Sequence, residues 1–132
     1  MLDALKIALK AVDGKKAIDI VALDISQIAS FAHYFLLCSG ESARQIQAIV
    51  DEVEMKLKEK GVRPNHIEGY RNAEWVLMDY IDVVIHVFSR RAREYYDLER
   101  LWRDARKVDV AKILRPRTVK SPGAKGARKR ST

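Results

Sequence analysis

Apolar residues recur at helical spacing at Ala4, Leu5, Ala8, Leu9 and Val12, and Gly14 follows as a residue suited to the left-handed conformation that closes a helix. The pattern predicts a short amphipathic helix at the start of the chain. Ala17 to Leu23, rich in Ile and Val and reaching Asp24, reads as a largely buried strand, with a loop or short turn of helix through Ser30. Tyr34 to Cys38 is a second apolar run, too short for a typical helix and stopped by Ser39-Gly40, and it reads as a central strand. Ile46, Ile49, Val50, Val53 and Leu57 mark one face of a long helix whose other faces carry Asp51, Glu52, Lys56 and Lys58. Gly61 stops this helix, and either Ser42, at capping-box spacing from Gln45, or Ser39 starts it. A short strand is expected around Ile67. After a turn at Arg71-Asn72, the runs Trp75 to Asp79 and Asp82 to Phe88 form a hairpin joined by Tyr80-Ile81. Tyr95, Leu98, Leu101, Trp102 and Ala105 return to helical spacing, as a last helix or a pair of short ones.

The order helix, strand, strand, helix, strand, strand, strand implies a single-domain α/β sandwich with a mixed β-sheet flanked by helices, the long helix serving as a crossover packed on one face. With 132 residues, 48% of them hydrophobic, the chain fits one ordinary domain with a real core. No run approaches the roughly 18 to 20 apolar residues of a membrane span, and the N-terminal stretch lacks the apolar block of a signal peptide. The single cysteine, Cys38, has no internal disulfide partner, which suits a reducing compartment. A cytoplasmic protein without a membrane partner is expected.

The formal charge of +7 suggests a nucleic-acid binder until it is divided along the chain. Residues 111–132 hold eight Lys and Arg and no acid, so residues 1–110 carry 17 bases against all 18 acids. The folded domain, expected over 1–110, is therefore nearly neutral, and polyanion binding by this body is not supported by charge. The basic segment 111–132 contains Pro, Gly and Ser with little to bury, and is expected to be a disordered tail. It reads either as a solvated extension or as an arm that contacts the phosphates of a polyanion.

Candidate chemistry is sparse. Asp79 and Asp82 could hold a divalent cation for nucleotidyl or phosphoryl transfer, but residues three apart on a strand point to opposite faces, and the simpler expectation is that they orient the turn. His86 lies four residues after Asp82, on the same strand face, yet no nucleophile accompanies it, and its neighbours Val84, Ile85, Val87 and Phe88 favour a structural histidine. His33 and His66 have no metal-ligand spacing. Ser39-Gly40 lacks the lysine of a phosphate-binding loop and any GxGxxG, so it reads as a sharp turn, with Cys38 before it in the core. No cofactor is implied. What remains is a late concentration of Trp75, Tyr80, Ile81, Tyr95, Tyr96, Leu98, Leu101 and Trp102, part core and part potential docking face.

Four segments in order carry a resemblance. EGYRNAEWVLMDYIDVVIHVF from Glu68 to Phe88 and REYYDLERLW from Arg93 to Trp102, with ALDIS at Ala22 to Ser26 and HYFLLCSGESARQIQAI at His33 to Ile49 upstream, are similar to the ribosomal silencing factor family, also called RsfS or Iojap-like proteins. The similarity spans residues 2–107 and leaves out the basic tail. It implies a nucleotidyltransferase-like α/β arrangement without established transferase activity. It also implies binding to the large ribosomal subunit through ribosomal protein uL14, steric obstruction of subunit joining, and repression of translation when nutrients are scarce. Carried over by position, the candidate partner-binding residues are Glu68, Trp75, Asp79, Tyr80, Tyr96, Leu98, Glu99 and Trp102, with Trp75 the first choice of anchor. The same apolar surface could pair two copies as a homodimer. Two positions depart from the family pattern. His33 stands where an Asp usually precedes the aromatic pair, and Ile81 stands where the hairpin usually carries Gly, a disfavoured choice if that position needs positive φ.

Overall fold

The computed structural model describes residues 2–114. Helix α1 (Leu2–Gly14) leads to strand β1 (Ile18–Asp24), then β2 (Tyr34–Gly40) and helix α2 (Ala43–Glu59). Strands β3 (His66–Glu68), β4 (Trp75–Asp79) and β5 (Val83–Ser89) follow. The described chain closes with helices α3 (Arg90–Tyr96) and α4 (Leu98–Leu101), a two-residue strand β6 (Arg106–Lys107) and helix α5 (Val110–Leu114).

Local chemistry accounts for the ends of the helices. Ser42 caps α2, its Oγ accepting from the Gln45 N–H at 3.1 Å, while Gln45 Oε1 accepts from the Glu41 N–H at 2.6 Å. The other end is closed by Gly61 at φ +78°, with its N–H on the Lys58 carbonyl and the Val62 N–H on the Leu57 carbonyl, both at 2.9 Å. Gly14 does not close α1 as expected. Lys16 takes the left-handed conformation at φ 63°, and its N–H and that of Ala17 satisfy the Asp13 and Val12 carbonyls. Gly40 serves by its missing side chain: a Cβ there would meet Ile46 Cγ1 at 2.8 Å, so only glycine lets α2 begin this close to the strand.

The sheet runs β3-β4-β5-β2-β1-β6. Only β2 and β5 pair in parallel, with Leu36 beside Ile85 and Cys38 beside Val87, and the other ladders are antiparallel. Since side chains alternate across a strand, this register sorts the core into two layers. Leu36, Cys38, Val76, Met78, Ile85 and Val87 pack beneath the apolar stripes of α1 and α2. Leu23, Phe35, Leu37, Val84 and Phe88 face the opposite side, where Ile25, Ala92, Leu98, Trp102 and Ala105 cover part of the sheet.

One expectation needs correction. Order does not end at residue 110, because Val110, Ile113 and Leu114 add apolar contacts to the layer holding α1. Residues 115–132, the rest of the expected tail, lie outside the described residues. The last helical stretch is the pair of short helices, α3 and α4: Asp97 adopts φ 48° between them, so Leu98 and Trp102 turn toward the sheet while Tyr95 and Leu101 are exposed, at 79% and 71%.

Candidate protein-docking face

Trp75 opens β4 opposite Phe88 of β5, and the two rings stack with centroids 5.3 Å apart. Tyr96, at the end of α3, reaches the same indole at 4.6 Å, and Tyr95 meets Tyr96 edge-on at 5.0 Å. On the other side of Trp75 lies His86, 5.9 Å between ring centres, followed by Phe35, Trp102 and the exposed Phe31 in successive contacts of 4.8, 5.2 and 5.9 Å. A continuous band of rings thus crosses the sheet face that α3 and α4 cover only partly. Trp75 is half-buried and Tyr96 exposed, so this end of the band presents aromatic surface to solvent.

His86 is itself buried, and its Nδ1 accepts a hydrogen bond from the Trp75 indole Nε1–H at 3.1 Å. Burial pushes its pKa down to about 4, so the ring is neutral at physiological pH. An indole nitrogen can only donate, which leaves Nδ1 unprotonated and puts the ring proton on Nε2, a buried atom without a partner among the described residues. Sequence spacing relates His86 to Asp82; the fold relates it to Trp75, through the register of β4 and β5.

The remaining candidates divide. Glu68 is exposed on the edge strand, in register with Leu77, and its carboxylate lies 2.6 Å from His66 Nε2. Asp79 is half-buried and accepts the Ile81 N–H at 2.7 Å, so the turn-orienting role expected of it is present. Leu98 and Trp102 pack inward. Glu99 is tied to Arg93, whose hydrogen bond holds its carboxyl below the usual range. Tyr80 is not partner-facing: it is only 8% exposed and belongs to the opposite core layer, and burial pushes its phenol up to about 12. The alternation of β4, which puts Trp75, Leu77 and Asp79 on one face, carries the ring at position 80 to the other.

Two further features frame this face. At the hairpin tip the Asp82 N–H donates to the Tyr80 carbonyl at 2.9 Å, making a γ-turn around Ile81 at φ 75°, a strained setting for a β-branched residue that is 61% exposed. The positive φ that the Ile81 departure put in question is therefore adopted. At the other departure, His33 stacks on Tyr34 at 4.3 Å and lies 3.9 Å from the Asp24 carboxylate, whose pKa is lowered first by the Ser26 hydroxyl and then also by Arg106.

Among the described residues no three His, Cys, Asp or Glu side chains are placed to hold a metal ion, and no helix is long and apolar enough to cross a membrane. Cys38 is buried, and burial pushes its thiol up to about 12, away from the reactive thiolate.

Fold and face together define a small α/β protein with helices over one side of a mixed sheet and a band of aromatic rings across the other. A model of the family described as "Ribosomal silencing factor during starvation" matches residues 1–132, and the chain belongs to that family. A ribosomal silencing factor of Bacillus subtilis is 48% identical over 106 residues, covering 80% of this chain and 90% of the relative. The crystal structure of a Chromobacterium violaceum protein superimposes with a TM-score of 0.76 at 40% identity, over 77% of this chain and 85% of that one. A mouse relative named mitochondrial assembly of ribosomal large subunit protein 1 is 31% identical over 91 residues, which are 67% of this chain and 40% of the mouse protein.

Proposed function

We propose that this protein binds the large ribosomal subunit in the cytoplasm through ribosomal protein uL14, sterically blocks association of the small and large subunits, and so represses translation under nutrient limitation. The observation that supports this most is the exposed aromatic end of the ring band, where Trp75 and Tyr96 meet on a sheet face that the body's own helices leave partly open. Docking on a protein needs apolar anchors inside a polar rim, and Glu68 stands beside these rings on the edge strand. The nearly neutral charge of residues 1–110 suits a protein partner better than a phosphate backbone. The family's name and the mouse relative's name point to the same assembly. The basic residues beyond Leu114 would add rRNA phosphate contacts next to the docked body. A homodimer through the same rings would compete with docking.

Sucrose gradients of purified subunits test the reading. Added protein is expected to co-sediment with large but not small subunits and to raise free subunits at the expense of joined ribosomes. Unchanged association at saturating protein would overturn it.

A further inference from the structure

We infer that His86 is a positioning residue for the docking anchor: it holds the Trp75 indole in the orientation that meets the partner, which is its reason for being a histidine. The inference rests on the proposed role of Trp75. His86 sits in a pocket where apolar side chains would pack more cheaply, against Phe35 at 4.8 Å and Phe88 at 6.0 Å. Its Nε2 is buried without a partner among the described residues, a net cost to the fold. The one polar service the ring performs is to accept the indole Nε1–H through Nδ1 at 3.1 Å. Trp75 needs that service because it is half-buried at the start of its strand, with Phe88 on one side of the ring and Tyr96 near it. Stacking contacts tolerate rotation of an indole in its plane, whereas a hydrogen bond to a buried acceptor fixes the angle. An anchor fixed before encounter loses less freedom on binding, and affinity rises without any new contact to the partner.

Stability and affinity should therefore separate in two variants. His86→Leu removes the orphaned Nε2–H but leaves the half-buried Trp75 Nε1–H without its acceptor, so its urea midpoint at neutral pH is expected to stay close to the parent's, while affinity for isolated large subunits falls roughly tenfold. His86→Asn restores an acceptor near the position of Nδ1 at the cost of ring packing. Its midpoint is expected to fall while its affinity stays within about threefold of the parent's. In the unmodified protein, NMR should show a Trp75 indole proton that exchanges slowly with solvent, and this protection should vanish in His86→Leu. The inference is overturned if His86→Leu binds like the parent, if affinity follows stability in both variants, or if the parent's indole proton exchanges freely. Should His86→Leu not fold, the Asn variant and the parent's indole proton still decide. Failure of the unmodified protein to bind large subunits would remove the functional reading and this inference with it, and the stability and exchange data would distinguish that outcome from failure of the inference alone.

Discussion

Arg93 and Glu99 meet at two points, the guanidinium Nε and Nη2 each donating to a carboxylate oxygen at 2.8 Å. The same guanidinium donates from Nη1 to Ser39 Oγ at 3.0 Å and from Nη2 to the Asp19 carbonyl at 2.7 Å. One side chain of α3 therefore ties α4 to the ends of β1 and β2, and this clasp sets where the short helices lie on the sheet. The planar fork of arginine suits such a site and a lysine does not.

The Arg93 side chain is 11% exposed, against 64% for that of Arg90, which pairs with Glu41. Arg93→Met is expected to destabilise the fold by about 2 kcal/mol, because the buried Ser39 hydroxyl and the half-buried Glu99 carboxylate lose a charged donor. Arg90→Met should leave the urea midpoint close to the parent's, since solvent screens that pair. Equal shifts in the two variants would show that the clasp has no special weight.

Stability should depend on pH through His86. Its pKa falls from 6.5 to about 4 on folding, so between these values the unfolded chain binds a proton that the folded chain refuses. Stability is therefore full above about pH 6.5 and declines as pH falls toward 4, by up to about 3 kcal/mol. Urea titrations across that window should show the slope, and His86→Leu should flatten it. At lower pH the carboxyls of Asp24 and Glu99, both depressed in the fold, contribute stability that is lost as pH falls through their folded values.

Ile81→Gly should stabilise the protein. The residue holds φ 75° in a γ-turn, and its exposed side chain adds nothing to the described core. Relief of the left-handed strain is worth about 1 to 2 kcal/mol, part of which is offset by the greater freedom of glycine in the unfolded chain, leaving a gain of roughly 1 kcal/mol in thermal or urea unfolding.

Trp75→Ala and Tyr80→Phe should act in opposite ways. Loss of the anchor should weaken binding to large subunits by on the order of 2 kcal/mol. Tyr80→Phe removes a buried hydroxyl that has no hydrogen-bond partner among the described residues, so it should leave binding unchanged and raise stability by about 1 kcal/mol. Weaker binding by the Tyr80 variant would return that residue to the partner surface.

Removal of residues 115–132 takes away seven Lys and Arg and no acid. If these residues neutralise rRNA phosphates, the shortened protein should bind large subunits less tightly and with a shallower dependence on salt, the slope falling by about one for each phosphate left unpaired. Equal salt slopes would identify the segment as a solvated extension.

The amino-acid sequence by itself determined the elements from α1 to α4 and their order, but not β6 or α5. The helical period of 3.6 is a local property that the apolar positions of α1 and α2 follow, while β1, β2 and β5 show as short, nearly continuous apolar runs and only β4 alternates. It also determined the charge division and, through ordered segments from Ala22 to Trp102, the family. It did not determine where Lys16, Ile81 or Asp97 would accept positive φ, because a residue's own preference can be overridden by the hydrogen bonds and packing of its neighbours. Nor did it tell Trp75 from Tyr80 as surface and core, or pair Trp75 with His86 and Arg93 with Glu99. Those pairings depend on strand register and on the turn at Asp97, which exist only after distant segments pack. Burial and hydrogen bonding are properties of that assembly, and they decide which aromatic rings a partner can reach.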